Sequence, residues 1–258
     1  MREGLAVKVQ VRALTFSYGL FTLRVPEQDF GEAGITAIVG PNGAGKSTFL
    51  KCAASVLPVS RGAVLVGGRD MAGLSARARA RLAGYVPQEP SFTFNYQVLD
   101  FVLTGRAAFI PAFSSPSRRD IEIAEESLCF VGLEGFSRRL FLELSSGERR
   151  LVLIARTLAQ QPAVLLLDEP TTFLDPRHEV GMMELLRRLA REKQKTVIVT
   201  LHDLDMAVKY ADDMVFMKGG AVIASGPPRD VLSEPLLKAV YDIDMGIVRT
   251  NGRLVIVR

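Results

Sequence analysis

One glycine-rich segment, GPNGAGKST at residues 40–48, constrains the fold of this chain more than any other feature. It follows the apolar run ITAIV and matches the pattern G-x-x-x-x-G-K-[ST], which joins a buried strand to a helix. Glycines let backbone N–H groups turn towards phosphate oxygens, and the N-terminus of the following helix adds a positive field. The segment therefore predicts a P-loop that binds the phosphates of a nucleotide.

Individual residues of this loop have separate expected tasks. Lys46 would reach the β and γ phosphates, and the hydroxyl of Ser47 would bind Mg²⁺. A nucleotide and Mg²⁺ are therefore the predicted cofactors. The remaining candidate nucleotide-binding residues of the loop are Gly40, Asn42, Gly43, Gly45 and Thr48.

Short apolar runs elsewhere indicate the fold class. Residues 7–18 alternate polar and apolar side chains, as strands do. The runs at residues 164–167 and 196–201 are bounded by polar residues or proline and separated by helical patterns, which favours buried parallel strands. We predict an α/β fold with a P-loop NTPase core and a mainly parallel sheet, an N-terminal antiparallel β subdomain and an inserted helical subdomain.

Between residues 88 and 144 the strand-like runs disappear. Residues 100–105 and 120–131 are predicted helices around the loop PAFSSPSR. We place the helical subdomain at about residues 89–145, inserted in one domain that spans residues 1–258. A helix around residues 228–241 and a strand at LVIVR are expected near the end.

Composition excludes several classes of protein. Hydrophobic residues make up 48% of the 258 and charged residues 23%, which is typical of globular chains. No run approaches the roughly 18 apolar residues of a spanning helix, and the first residues lack the apolar core of a secretory signal, so we expect a soluble, unexported chain. The net charge of +4 permits contact with nucleic acid or an anionic membrane without selecting either. Cys52 and Cys129 are expected to be buried free thiols.

Two carboxylates follow the apolar run AVLLL. At the end of a buried strand, Asp168 can orient Mg²⁺ and its water, and the adjacent Glu169 can activate an attacking water. A surface Asp-Glu pair after a strand is also a common helix start, but beside a P-loop the catalytic interpretation is favoured.

The segment LSSGE at residues 144–148, here called the signature segment, opens a predicted helix. It places Ser145, Gly147 and backbone amides at a positive helix N-terminus, which is suited to phosphate. Taken alone, the same residues also form an ordinary helix cap.

The order GPNGAGKST, YVPQ, LSSGE, LLLDEP, TTFLD and TLHD resembles the ABC ATPase family over nearly the whole chain. The resemblance implies that Gln88 touches Mg²⁺ or water and joins the core to the helical subdomain. It implies that Asp175 is the aspartate of the D-loop and that His202 contacts the γ phosphate. Tyr18 resembles the aromatic residue that stacks on adenine, and Phe16 competes for that role. The predicted catalytic residues are Glu169, His202 and Gln88, and the predicted metal ligands are Ser47, Gln88 and Asp168.

In this family the signature segment of one copy closes over ATP held by the P-loop of another, which implies a homodimer. Three positions depart from the family pattern. Ser146 stands where glycine is usual, and Arg150 and Leu151 stand where glutamine and then arginine are usual.

The segment VLDFVLTGRAAF and the motif DEPTTFLD resemble ATPases of importers for iron siderophores, haem and cobalamin. This resemblance implies a peripheral protein on the cytoplasmic face of the cell membrane, with polytopic permease subunits and a solute-binding protein as partners and no nucleic acid. Residues 88–106 would form the groove that receives a cytoplasmic helix of the permease. An exporter ATPase, an importer ATPase for another substrate and a non-transport ABC ATPase are the alternatives. The transported molecule is not specified by this chain.

Overall fold

A computed structural model of the chain describes residues 7–88, 95–250 and 253–257. Its strands are β1 (Val9–Tyr18), β2 (Phe21–Phe30), β3 (Ile35–Val39), β4 (Val64–Val66), β5 (Arg69–Asp70), β6 (Ala83–Val86), β7 (Val164–Leu167), β8 (Thr196–Thr200), β9 (Asp213–Lys218), β10 (Ala221–Gly226), β11 (Gly246–Thr250) and β12 (Arg253–Val257). Its α-helices are α1 (Lys46–Ala53), α2 (Ala76–Leu82), α3 (Val98–Leu103), α4 (Arg118–Phe130), α5 (Ser146–Ala159), α6 (Pro176–Arg191), α7 (Leu204–Tyr210), α8 (Pro228–Val231) and α9 (Glu234–Tyr241).

One large sheet contains the first ten strands in the order β5-β4-β1-β2-β10-β9-β3-β8-β7-β6. Strands β9, β3, β8, β7 and β6 are parallel to their neighbours in that part of the sheet. Strands β3, β7 and β8 are buried along their whole length. Most of their side chains are apolar on both faces, as in parallel strands that are covered on both sides. The parallel arrangement predicted from these runs is confirmed.

The N-terminal strands form the antiparallel part of the sheet. β1 and β2 pair from Val9 with Phe30 to Tyr18 with Phe21, and Gly19 at φ 54° opens the turn between them. β4 pairs with β1, and β5 with β4, also antiparallel. A single parallel pair, Ala221 with Arg24, connects this part to the rest of the sheet. The predicted antiparallel strands are therefore present, and they continue the same sheet.

Alternation along β7 divides the hydrophobic core into two layers. Leu165 and Leu167 pack in one cluster with α5 and α6, whereas Val164 and Leu166 pack in the other with α1. This follows from the opposite directions of successive side chains in a strand. The sheet is thus covered on both faces.

Helices α3, α4 and α5 pack against one another and contribute to the same hydrophobic cluster. The predicted helix at residues 100–105 begins earlier, at Val98, and continues from Leu103 as a 3₁₀ turn to Ala108. The predicted helix at residues 120–131 begins at Arg118, because Ser117 and Asp120 form a reciprocal capping box. Residues 89–94, where the insertion was predicted to begin, lie outside the described residues, so its boundaries stay a prediction.

Two further expectations need correction. The helix predicted around residues 228–241 is two helices, α8 and α9, because Ser233 caps a new start that proline follows. The LVIVR strand is β12, which pairs with β11. Cys52 is a buried free thiol as predicted, but Cys129 is free and exposed because it lies on the outer face of α4. Within the described parts of the chain, no helix combines the length and apolar character needed to cross a membrane.

Candidate active site

The P-loop joins β3 to α1, as the sequence predicts. Gly40 and Gly45 have φ values of 155° and 98°. A Cβ at Gly40 would lie 2.1 Å from the carbonyl oxygen of Met217, and one at Gly45 would lie 2.7 Å from Cζ of Phe21. At Gly40 the backbone of β9 leaves no room for a side chain, whereas at Gly45 it is mainly the positive φ that favours glycine. Between them, Asn42 and Gly43 are exposed at the tip of the loop.

Lys46 is the first residue of α1, and its side chain is buried under the loop. Its ammonium donates to the carbonyl oxygens of Gly40 at 2.9 Å and Pro41 at 3.1 Å. Burial lowers the pKa of Lys46, and the nearby carboxylates of Asp168 and Glu169 partly oppose that shift. A buried cation therefore lies within the P-loop, and Thr48 is buried two residues further along the helix.

Asp168 lies directly after β7 and holds three hydroxyl groups. Its Oδ1 accepts from Ser47 Oγ at 2.9 Å and from Thr200 Oγ1 at 2.8 Å. Its Oδ2 accepts from the hydroxyl of Tyr85 at 3.2 Å. Burial, followed by the charge of Asp168, raises the pKa of Tyr85, so the phenol remains a donor. The P-loop and the end of β7 are thus bonded directly to each other.

The donor set at this junction fits Mg²⁺. A serine hydroxyl and a carboxylate are hard oxygen donors, and protein-bound Mg²⁺ is usually held by one or two such groups together with phosphates and water. The described residues contain no cluster of three or more His, Cys, Asp or Glu side chains that would form an all-protein metal cage. Ser47 and Asp168 are oxygen donors of the kind that nucleotide-bound Mg²⁺ takes, and their role as metal ligands stays a prediction.

The Glu169 carboxylate contacts residues of the loops after β6 and β8 and of its own loop. Its Oε1 lies 2.5 Å from Nε2 of His202, and its Oε2 accepts from Nε2 of Gln88 at 2.5 Å and from Thr172 Oγ1 at 3.2 Å. Its backbone N–H donates to Thr200 Oγ1 at 2.8 Å, and its φ is +46°. Such left-handed geometry is costly for a residue other than glycine and is concentrated at functional sites. The structure brings the three predicted catalytic residues together.

The signature segment lies beside the D-loop. Ser145 is the N-cap of α5 and forms a capping box with Glu148. A Cβ at Gly147 would lie 3.7 Å from Leu174 and 4.0 Å from His178. The described side-chain bonds of Ser145 run to its own helix, and Gly147 lies near the D-loop, so no described bond joins either residue to the P-loop.

Asp175 caps α6 and accepts from the backbone N–H groups of Arg177 and His178. The Nδ1 atom of His178 also lies 2.6 Å from its carboxylate, and this partner is the main reason that the pKa of Asp175 is lowered. His178 is exposed, as expected from its polar surroundings. Asp175 is therefore fixed at the start of α6, and its role towards a nucleotide stays a prediction.

Tyr18 ends β1 with 58% of its surface exposed. Its ring centroid lies 5.5 Å from that of Phe21, which in turn contacts Gly45 of the P-loop. Phe16 lies 6.0 Å from Tyr18 and is partly buried against the core. Of the two aromatic candidates, Tyr18 is the one with a free face near the P-loop.

Sequence reasoning missed Thr200, Tyr85 and Thr172, which bond the two acidic residues. The signals were weak. Thr200 is the polar end of an otherwise apolar strand, and Tyr85 is an amphipathic residue two positions before the proline that precedes Gln88. Their partners lie on other strands, so their roles follow from the sheet order.

Comparison with known proteins identifies the family of the chain. A family model described as ABC transporter matches residues 25–172, which is more than half of the chain. The chain belongs to the ABC transporter family. The predicted resemblance to ABC ATPases and the predicted fold class are both confirmed.

Curated ABC relatives cover most of the chain. The hemin import ATP-binding protein HmuV of Streptomyces coelicolor is 40% identical over 228 residues, which span 86% of this chain and 79% of HmuV. The cobalamin import ATP-binding protein BtuD of Halobacterium salinarum is 38% identical over 213 residues, which span 83% of this chain and only about half, 53%, of BtuD.

A solved ABC structure has the same overall fold. It is an inward-facing conformation of a transporter proposed to be of the metal-chelate type, with a TM-score of 0.83 and 30% identity. The match covers 97% of this chain and 96% of the solved chain.

Proposed function

We propose that this chain is the ATP-hydrolysing subunit of an ABC importer that couples ATP binding and hydrolysis to uptake of a metal chelate through a membrane permease. The observation that carries the enzymatic part is the Glu169 carboxylate, held by Gln88 and His202 beside the Ser47–Asp168 pair. Family membership and the names of the relatives support the transport part.

The geometry supports in-line attack of water on the γ phosphate of ATP. Glu169 would accept a proton from that water while the water oxygen bonds to phosphorus and the bond to the β–γ bridging oxygen breaks, which gives ADP and phosphate. His202 and Gln88 hold the two carboxylate oxygens in place. Lys46 supplies positive charge to the β and γ phosphates from under the loop.

Mg²⁺, when bound, would neutralise charge on the phosphate oxygens. Ser47, Asp168 and Gln88 would hold it. Tyr85 and Thr200 orient the Asp168 carboxylate by donating to its two oxygens. These bonds fix the carboxylate before any ligand arrives, which reduces the reorganisation needed for catalysis.

We propose that one ATPase domain spans residues 1–258, with the helical insertion at about residues 89–145. The separation of Ser145 and Gly147 from the P-loop contacts supports a homodimer in which each signature segment meets the nucleotide of the other copy. ATP would then hold two copies together, and hydrolysis would let them separate.

The remaining partners follow from the importer assignment. Polytopic permease subunits would place the chain at the cytoplasmic face of the membrane, and a solute-binding protein would deliver the substrate. The relatives named for hemin and cobalamin import support an iron siderophore, haem or cobalamin type of cargo. The region of residues 88–106 is our proposed docking groove for the permease. Residues 89–94 of it lie outside the described residues, and α3 turns Val98, Phe101 and Val102 inward.

Reconstitution tests the proposal. The chain and its membrane subunits would be inserted in vesicles with the ATPase outside, and ATP-dependent movement of labelled siderophore, haem and cobalamin out of the vesicle lumen towards the ATPase side would be measured. ATP-dependent transport of one chelate in that direction is expected. Transport in the opposite direction would indicate an exporter, and recovery with ribosomes or DNA without a membrane partner would overturn the transport assignment.

A further inference from the structure

Arg150 makes charged hydrogen bonds to the main chain. Glutamine, the residue usual at this position in the family, is neutral and could not make them. It lies on the second turn of α5 and is 7% exposed. Its Nη1 donates to the carbonyl oxygen of Gln88 at 2.5 Å and to that of Pro87 at 3.3 Å. The helix that the signature segment opens is therefore bonded to the loop that follows β6.

A guanidinium suits this bond better than an amide would. Hydrogen bonds from a charged donor are shorter and stronger than neutral ones, and the planar guanidinium presents several donors in a fixed arrangement. One buried side chain thereby holds two consecutive carbonyl groups. The peptide planes on either side of the Gln88 backbone are restrained as a result.

The same residue, Gln88, reaches the catalytic carboxylate with its side chain. Its Nε2 donates to Glu169 Oε2 at 2.5 Å, while its carbonyl oxygen accepts from Arg150. Rotation of the backbone at Gln88 would displace the side-chain amide, because both belong to one residue with few rotatable bonds between them. A continuous path thus runs from α5 through Arg150 and Gln88 to Glu169.

We propose that Arg150 is a positioning residue that holds the Gln88 main chain so that the Gln88 amide meets Glu169. It thereby makes the alignment of the catalytic carboxylate depend on the position of the signature helix α5. This inference rests on the proposed function, since it takes Glu169 as the base of ATP hydrolysis. Engagement of Ser145 and Gly147 by a second copy would reach Glu169 along this path.

Steady-state hydrolysis of MgATP by the full chain provides the first test. Arg150→Ala is expected to lower kcat by about 10- to 100-fold, since a misplacement of about 1 Å can cost about 100-fold in rate. KM should stay within about twofold, because the path does not pass through the P-loop. Arg150→Lys, which keeps the charge and one point donor, should recover part of the loss.

Arg156→Ala is the matched control. Arg156 lies on the same helix and donates to Thr104 Oγ1 at 2.7 Å, and none of its described bonds goes to Gln88. Its kcat should equal that of the parent, and thermal unfolding of all variants shows whether packing alone explains a change. Unchanged kcat in Arg150→Ala, or an equal loss in Arg156→Ala, would overturn the inference.

A double-mutant cycle separates positioning from general support of the fold. If Arg150 acts through Gln88, the kcat of Gln88→Ala should not fall further when Arg150→Ala is added. Independent, multiplying effects would refute the path. Should Arg150→Ala fail to fold, Arg150→Lys takes its place in the cycle. A parent without ATPase activity would overturn the proposed function together with this inference, whereas an active parent with additive effects would overturn this inference alone.

Discussion

The Glu169 carboxylate and the His202 imidazole lie 2.5 Å apart and connect the carboxyl ends of two adjacent parallel strands, β7 and β8. Gln88 reaches the same carboxylate from the loop after β6, the next strand in the sheet. Side chains that follow neighbouring parallel strands meet at one edge of the sheet, where open α/β folds bind their ligands. The strand order therefore assembles the candidate catalytic group.

Glu169→Gln removes the proposed base and keeps the shape of the side chain. Turnover of ATP should fall by about 100-fold or more, the usual contribution of general acid–base catalysis. ATP binding should persist, and a dimer should accumulate in the presence of ATP, which light scattering would detect. Glu192→Gln is the control, because Glu192 pairs with Arg188 at the exposed end of α6. Turnover equal to that of the parent would show that the base assignment is wrong.

Thr200→Val removes a hydroxyl that both accepts from the Glu169 backbone and donates to Asp168. The buried N–H of Glu169 would lose its partner, so the free energy of unfolding should fall by about 1–3 kcal/mol in urea titrations. ATPase activity should fall as well, because Asp168 is less well oriented. Thr200→Ser retains the hydroxyl and should stay close to the parent. A valine variant with parental stability and activity would contradict this role.

Tyr18→Ala tests the aromatic contact with adenine. Loss of a stacked ring costs about 1 kcal/mol, which is about fivefold in the dissociation constant of ATP. Tyr18→Phe keeps the ring and should bind like the parent. Titration with a fluorescent ATP analogue measures both. If Phe16→Ala weakens binding and Tyr18→Ala does not, Phe16 has the role that we assign to Tyr18.

Asp120→Asn tests the buried ion pair with Arg106, whose atoms Oδ1 and Nε lie 2.9 Å apart. Removing one partner of such a pair should lower the free energy of unfolding by about 3 kcal/mol at pH 7. Hydrogen bonds from Ser117, followed by those from Arg106, hold the pKa of Asp120 below its usual range.

The pH dependence of that effect has a definite sign. An unfolded chain protonates Asp120 at about pH 4, whereas the folded chain does so only at lower pH, so the stabilisation is complete above about pH 5 and is lost as the pH falls through the folded pKa. The difference between parent and variant in urea titrations should therefore shrink from pH 5 to pH 3. Glu122→Gln, which alters only exposed pairs with Arg118 and Arg119, should change stability little at either pH. A constant difference for Asp120→Asn would contradict the assignment.

The sequence predicts those parts of the site that depend on local pattern. The P-loop glycines and the Asp168–Glu169 pair follow runs whose apolar character identifies buried strands. The roles of Thr200 and Tyr85 could not be found in this way, because only the order of β6, β7 and β8 in the sheet brings them next to Asp168. Arg150 was recognised only as a departure from a family pattern, since its acceptors are backbone carbonyls that carry no residue-specific signal. Cys129 was misjudged because its helix turns that side chain outward, whereas thiols are more often buried.

The capping box at the start of α5 has a consequence for reversibility. The carboxylate of Glu148 accepts from both the N–H and the hydroxyl of Ser145 at 2.8 Å, and the backbone bond is the main reason that its pKa is lowered. This helix end already accommodates an anion of its own chain. If a phosphate held by another copy approached Ser145, Ser145 would exchange one negative partner, the Glu148 carboxylate, for another. An exchange releases less free energy than a new bond, so in the proposed homodimer this contact would be easier to release once the phosphate has gone.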